Sequence, residues 1–388
     1  MNNFTYENPT RVFFGRNCVR EHLPGLIADS RTVLFGYGGG SIRRNGIYDE
    51  VLRILTGAGK TVVEFPGIMP NPTYAKVQEG VALVKEHGAD LILAVGGGSV
   101  MDCCKAVAMG AVYDGDLWED YWAKTGVVNF TPLPLGVIVT VPGTGSEVNG
   151  DSVITNEEQK VKTGRDYVGC NARFALMDPA YTLSVPRRQM ISGGFDMLSH
   201  VMETYFSGPD EENISDDISE ALMRGIIRDL RAAARDPQDY EARSNLMWAS
   251  SMAEIRIIKL GKRCDFECHQ IEHQLGAYTN CIHGEGLAVL HPVYYRHILR
   301  DGQAKFARFA VRVWGLTPAG RTEEEMARAG VEALAEFIRE LGLPTTLREL
   351  GADESLDLAA VAESCILNTG GYRMMTHGEI LEMLRECY

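Results

Sequence analysis

The sequence has no block of consecutive basic residues, no C-x-x-C pair and no uninterrupted apolar run of the ~18 residues that a membrane span needs. Each absence removes a class of function. With 38 Lys and Arg against 52 Asp and Glu, the formal charge is -14 and the pI near 5.2. Nucleic-acid binding depends on clustered cations, and docking on anionic membranes depends on them equally, so neither partner is expected. The opening stretch MNNFTYENPTRVFFG lacks the basic region followed by an apolar one that marks a secretory leader, which predicts a cytoplasmic protein. The 9 cysteines, at 18, 103, 104, 170, 264, 268, 281, 365 and 387, are odd in number and scattered, a pattern of reduced thiols rather than a disulfide framework. Cys264, Cys268 and Cys281 fall near a group of histidines, where a thiol is either a soft metal ligand or a buried bystander.

A chain of 388 residues, 45% hydrophobic and 23% charged, has the composition of a globular protein and exceeds one ordinary core. Its first half alternates short apolar runs with helical patterns: strands over 31–35, 61–65, 90–95, 135–141 and 173–177, helices over 47–55 and 74–87. Continuous apolar strands separated by helices predict a parallel sheet covered on both faces. After Pro186 only helical periodicity remains, roughly over 187–207, 213–235, 240–258, 264–276 and 283–300, with three or four more helices to the end. Two domains are therefore expected, an α/β domain over 1–186 and an all-α domain over 187–388. SGPDEENISDD (207–217) reads as a short acidic loop between helices.

Two glycine-rich turns, YGGGSIRRNG (37–46) and VGGGSVMDCCK (95–105), each follow a strand and open a helix. Glycine there lets the backbone approach a ligand, and the free N–H groups of a helix start bind an anionic pyrophosphate. Neither turn completes G-x-G-x-x-G, since Ser41 and Met101 stand where the third glycine belongs, and no Walker lysine follows. TVPGTGSE (140–147) is a third small-residue turn after a strand. Three such strand ends predict a dinucleotide cleft of a variant kind. After the first strand come Gly38, Gly39, Gly40 and Ser41, with no carboxylate for a ribose 2′-OH but with Arg43 and Arg44 close by. That combination favours a 2′-phosphate, hence NADP(H) over NAD(H).

The helical half carries the second constellation. In DFECHQIEHQLGAYTNCIHGEG (265–286), HQIEH satisfies the inverted zinc-protease motif H-x-x-E-H. That reading leaves the glycine turns unexplained, and it also ignores SGGFDMLSHVMET (192–204), where Asp196 and His200 lie four apart on an otherwise apolar helix. Burying a carboxylate and an imidazole unpaired is costly, which points to a metal. His269 and His273 repeat the four-residue spacing, and His283 follows ten residues later. Aspartate and histidine together suit a borderline divalent cation such as Fe²⁺ or Zn²⁺.

These motifs, G-x-x-D-x-x-x-H-x-x-E at Gly193, Asp196, His200 and Glu203, H-x-x-x-H-x-L-G at His269, His273, Leu275 and Gly276, and H-G at His283, resemble the iron-containing, group III alcohol dehydrogenases. The resemblance covers nearly the whole chain and is closest to the NADPH-dependent butanol dehydrogenase and aldehyde reductase branch. It implies a dehydroquinate synthase-like fold, with the metal in a cleft between a dinucleotide domain and a helical one. It implies the ligands Asp196, His200, His269 and His283, with His273 beside the nicotinamide as a catalytic proton relay. For the cofactor it implies Gly38, Gly39, Gly40 and Ser41 at the adenosine phosphate end. Gly97, Gly98 and Ser99 fall on the pyrophosphate, and Asp102, Thr140 and Lys162 toward ribose and nicotinamide, with Lys160 competing for the last position. The expected activity is hydride transfer between NADP(H) and a primary alcohol or aldehyde, working as an aldehyde reductase, in an expected homodimer. The rivals are a glycerol-type polyol dehydrogenase and a non-catalytic nucleotide-binding assembly subunit.

Overall fold

The computed structural model describes residues 1–209 and 212–388, so Asp210 and Glu211 of the acidic loop lie outside the described residues. Two compact units emerge: residues 7–186, and residues 1–6 together with 187–388.

The first unit is built on a six-stranded sheet of β1 (Arg11–Phe14), β2 (Thr32–Tyr37), β3 (Thr61–Phe65), β4 (Leu91–Gly96), β5 (Leu135–Val139) and β8 (Phe174–Met177), in the order β1-β8-β5-β4-β2-β3. Every pairing in it is parallel. β4 and β5 are buried at every position, which is why LILAVG and LGVIV are apolar runs rather than alternating ones. One face packs Val33, Phe35, Leu93, Val95, Ile138 and Leu176 against helical residues including Val19, Leu23, Val51 and Leu55. Five strands were expected from apolar runs and all five are present. β1 was not: it is four residues long, begins on an arginine and occupies an edge.

Also unexpected is an antiparallel hairpin of β6 (Asp151–Asn156) and β7 (Val161–Asp166), with Asp151 opposite Asp166 and Thr155 opposite Lys162. Its sequence, DSVITNEEQKVKTGRD, is too polar for a core strand; pairing rather than apolar pattern makes it a ribbon. Strand order supplies the functional hint. From β2 the chain adds β3 on one side, whereas β4 and then β5 add on the other, so the direction of winding reverses between β2 and β4. At such a reversal the connections leave in opposite directions and open a crevice at the strands' carboxyl ends.

The second unit is helical. Its central helix, Arg187–Tyr205, is buried continuously from Gly194 to Tyr205, so the polar residues within that stretch must find partners inside the protein. Around it lie Ile214–Arg235, Tyr240–Glu254, Glu267–Thr279 and His283–Ile298. Gln303–Arg312, Glu323–Leu341, Leu358–Glu363 and His377–Glu386 complete the unit. Local chemistry sets several of the boundaries. Asn213 accepts from the Asp216 amide, and Thr322 forms a reciprocal capping box with Glu325. Among the described residues no helix is long and apolar enough to cross a membrane.

Candidate metal centre and cofactor turns

Three helices bring one aspartate and three histidines together. Asp196 and His200 sit one turn apart on the central helix, His269 is in the first turn of Glu267–Thr279, and His283 opens the helix His283–Ile298. From Asp196 Oδ1, His283 Nε2 lies at 3.5 Å, His200 Nδ1 at 3.6 Å and His269 Nε2 at 3.7 Å. Donors about 2.1 Å from one tetrahedral ion stand about 3.4 Å apart, so these separations suit four groups sharing a cation. Asp196 Oδ1, His200 Nδ1 and His269 Nε2 are buried and have no hydrogen-bond partner, the kind of orphaned set a metal completes.

Charge distribution agrees. Burial opposes ionisation of Asp196, but the facing imidazoles of His200 and His283, with His269, hold its carboxyl well below the usual range. His200 is pushed down to about 4 by burial, so it is a neutral ligand at ordinary pH. His269 is also desolvated, yet Glu203 and Asp196 outweigh that and raise it to about 10. Without an ion, a proton on His269 therefore supplies positive charge where a cation would.

Two further carboxylates touch the set from behind. Glu203 Oε2 accepts from His269 Nδ1, and Glu272 Oε2 accepts from His283 Nδ1. Both carboxylates are buried. In the sequence Glu203 is visible only as the residue three beyond His200, whereas Glu272, once HQIEH is no longer a protease motif, reads as either a bystander or a support behind a ligand histidine, and its contact with His283 is the second. His273, one turn beyond His269, is buried with its ring centroid 5.6 Å from that of His283. Ligand atoms of Glu272, His273 and His283 lie within 4.8 Å of one another, as do those of Asp196, His200 and His269, so His283 is the residue that links His273 to the Asp196 cluster.

The glycine turns occupy the carboxyl ends of three adjacent strands, β2, β4 and β5. Gly38 to Gly40 follow β2, and Ser41 begins the short helix Ser41–Arg44. Gly97 follows β4, and Gly98 and Ser99 begin the helix Gly98–Gly110; the Val100 and Met101 amides already donate to the Gly97 carbonyl, so the amides of Gly98 and Ser99 are the ones suited to a phosphate. A Cβ at Gly98 would fall 2.5 Å from Thr144 Cγ2, so glycine is what lets this turn pack against the third. Thr140, at the end of β5, donates its amide to the Gly96 carbonyl at 2.9 Å and is buried.

Asp102 lies beneath these turns: Oδ1 accepts from Ser146 Oγ at 2.6 Å and Oδ2 from the Val153 amide at 3.0 Å. Beside it Lys105, its pKa lowered by burial, donates to Ser146 Oγ, Asn149 Oδ1 and the Asp151 carbonyl. Lys162 is on β7, buried, whereas Lys160 is exposed with φ of 53° in the hairpin turn. Arg43 is not a free cation: its Nη2 lies 2.7 Å from Glu64 Oε2 and 2.5 Å from Tyr37 Oη, and its guanidinium stacks 3.7 Å above the Tyr48 ring. Glu64 on β3 is thus a carboxylate beside the first turn, which inspection of the residues just after β2 does not reveal.

A parallel sheet with glycine turns at its strand ends, and a helical unit in which an aspartate and three histidines converge, fit the class of metal-dependent, dinucleotide-using dehydrogenases. Residues 9–179 match the iron-containing alcohol dehydrogenase family, and residues 190–388 match the C-terminal domain of the Fe-containing alcohol dehydrogenase family. The chain is 37% identical over 393 residues to the NADH-dependent butanol dehydrogenase A of Clostridium acetobutylicum, with 100% of both chains covered. It is 35% identical over 359 residues to the NADPH-dependent aldehyde reductase YqhD of Escherichia coli, covering 92% of this chain and 91% of that one. The crystal structure of the NADH-dependent butanol dehydrogenase A of Thermotoga maritima superposes with a TM-score of 0.94 at 34% identity, covering 100% of this chain and 99% of that one. The chain belongs to the iron-containing alcohol dehydrogenases and is an alcohol/aldehyde oxidoreductase that uses NAD(P)H.

Proposed function

We propose that this enzyme works as an aldehyde reductase, moving hydride from NADPH to an aldehyde carbon in the presence of one divalent ion, Fe²⁺ or Zn²⁺. Asp196, His200, His269 and His283 hold the ion. The observation that carries the reading is the convergence of three orphaned buried donors, together with His283, at spacings that suit one cation. An ion bound there supplies Lewis-acid stabilisation of negative charge on the substrate oxygen. His273, as an imidazole beside His283, passes a proton toward that oxygen during reduction. Gly38, Gly39, Gly40 and Ser41 hold the adenosine phosphate end of the cofactor, and Gly97, Gly98 and Ser99 its pyrophosphate. Asp102, Thr140 and Lys162 stand toward ribose and nicotinamide. The boundary near 186 divides an α/β cofactor domain from a helical metal domain, to which residues 1–6 also belong.

The NADPH preference rests on Arg43 and on the lack of a carboxylate at Gly38 to Ser41. Because Glu64 already pairs with Arg43, the preference is modest. The relatives' names divide on this point, NADH for the butanol dehydrogenases and NADPH for the aldehyde reductase. We also propose a cytoplasmic homodimer; β1 stands at the edge of the six-stranded sheet. The test is kcat/KM for NADPH and NADH over a panel of aldehydes with metal-loaded protein. Higher kcat/KM with NADPH is expected; equal values sink the cofactor preference, and cofactor binding without turnover sinks the enzymatic role in favour of a nucleotide-binding assembly subunit.

A further inference from the structure

We propose that Glu203 and Glu272 are positioning residues for the metal, each bracing one ligand imidazole from the side away from the ion, and that His200 is the unbraced ligand of the three. The inference rests on the ligand set proposed above. An imidazole has two nitrogens, and only the deprotonated one binds a metal. When His269 Nδ1–H donates to Glu203 and His283 Nδ1–H donates to Glu272, the lone pair of each ring is fixed on Nε2. Nε2 is also the atom that each ring turns toward Asp196 Oδ1. His200 has no such brace among the described residues; its nearest aromatic neighbours are Phe266 and His269, with ring centroids at 6.0 and 4.5 Å.

Each brace is anchored by structure that fixes the carboxylate itself. Glu203 Oε1 accepts the Cys268 amide at 2.7 Å, so this side chain from one helix caps the buried N-terminus of the helix carrying His269. One residue thereby sets both the position of the helix and the rotation of its first-turn ligand. Glu272 is held differently. The helix of His283 starts HGEG, and its two glycines are where it meets its neighbours. A Cβ at Gly284 would lie 2.1 Å from the Ser192 carbonyl oxygen, and one at Gly286 would lie 3.0 Å from Glu272 Cγ and 3.1 Å from its Oε1. Gly284 therefore lets His283 approach the Asp196 helix, while Gly286 leaves Glu272 the room to reach His283.

Three variants test this without touching a ligand: Glu272→Gln, Glu203→Gln and Gly286→Ala. Metal affinity is measured by chelator competition with Zn²⁺ and Co²⁺, alongside the Co²⁺ visible spectrum and the melting temperature of the metal-free protein. Loss of such outer partners typically costs 10–100-fold in metal affinity, and that fold-change is expected for Glu272→Gln, with a changed Co²⁺ spectrum and an unaltered metal-free melting temperature. Gly286→Ala should weaken binding in the same direction, because it displaces the carboxylate without removing its charge. If Glu203→Gln fails to fold because the helix cap is lost, the other two variants decide. Unchanged affinity in Glu272→Gln and Gly286→Ala overturns the proposal, as does a fall in metal-free stability with the Co²⁺ spectrum unchanged. His269→Ala in the same assay separates the levels: if it keeps the metal, the ligand set itself is wrong.

Discussion

The two units present ligand-binding groups of opposite kinds. In the α/β unit the candidate groups at the strand ends are backbone amides of Gly38 to Gly40, Gly97 and Gly98, where no side chain intervenes. In the helical unit the groups are side chains, brought from three helices and held by buried carboxylates. A backbone site is damaged by adding atoms and a side-chain site by removing them. The same protein should therefore fail in two distinguishable ways.

The largest effect is expected at the metal. His269→Ala should abolish metal retention by elemental analysis and lower kcat/KM by at least about 10³-fold, since charge stabilisation by the ion is worth several kcal/mol. His273→Ala, one turn away, should keep the metal and lose about 10²-fold in kcat, the lower range for a positioned proton-transfer group. The reverse pattern of metal content would exchange the two roles. In the α/β unit, Gly98→Val should raise the cofactor KM about tenfold or more while metal content stays at the wild-type level, because the new side chain meets Thr144 where the phosphate-facing amides start. Loss of metal in that variant would erase the distinction between the units.

The smallest effect concerns protons. His269 is raised to about 10, so from neutral pH up to that value it is protonated in the metal-free protein, and an incoming ion must displace that proton. Metal loading near pH 8 should release about one proton per ion, read by calorimetry in buffers of different ionisation enthalpy, and the release should fade as pH rises beyond 10. Nucleotide binding to backbone amides has no such coupling at these residues. Metal uptake without proton release would show that His269 is neutral before the ion arrives.

The candidate metal-binding residues stand out in the sequence because their spacing conflicts with their surroundings. Asp196 and His200 interrupt a largely apolar helix at four-residue spacing, and at 3.6 Å they face each other without forming a hydrogen bond. The strands were legible because a sheet covered on both faces demands apolar runs. What escaped depended on partners remote in sequence. Glu203 looks like an ordinary helix residue until the helices pack and place His269 against it, and for Glu272 the sequence leaves bystander and support undivided until His283 meets it. Glu64 is a surface carboxylate of β3 until Tyr37, Tyr48 and Arg43 gather on it. The β6–β7 ribbon escaped for another reason: its pairing is carried by backbone hydrogen bonds under a polar sequence.

Residues 1–6 belong with the helical unit, where the Asn2 amide donates to the Gly261 carbonyl at 2.9 Å, although 180 residues of the other unit separate them from Arg187. The polypeptide thus passes from one unit to the other twice, near residue 7 and again near 186. The α/β unit is an insertion in the covalent sense, tethered at both ends, so a single proteolytic cut at either passage would leave the two bodies joined by the other. Dissecting them genetically calls for excising 7–186 and splicing its flanks, and a fragment ending at 186 would carry six residues whose packing partners had been left behind.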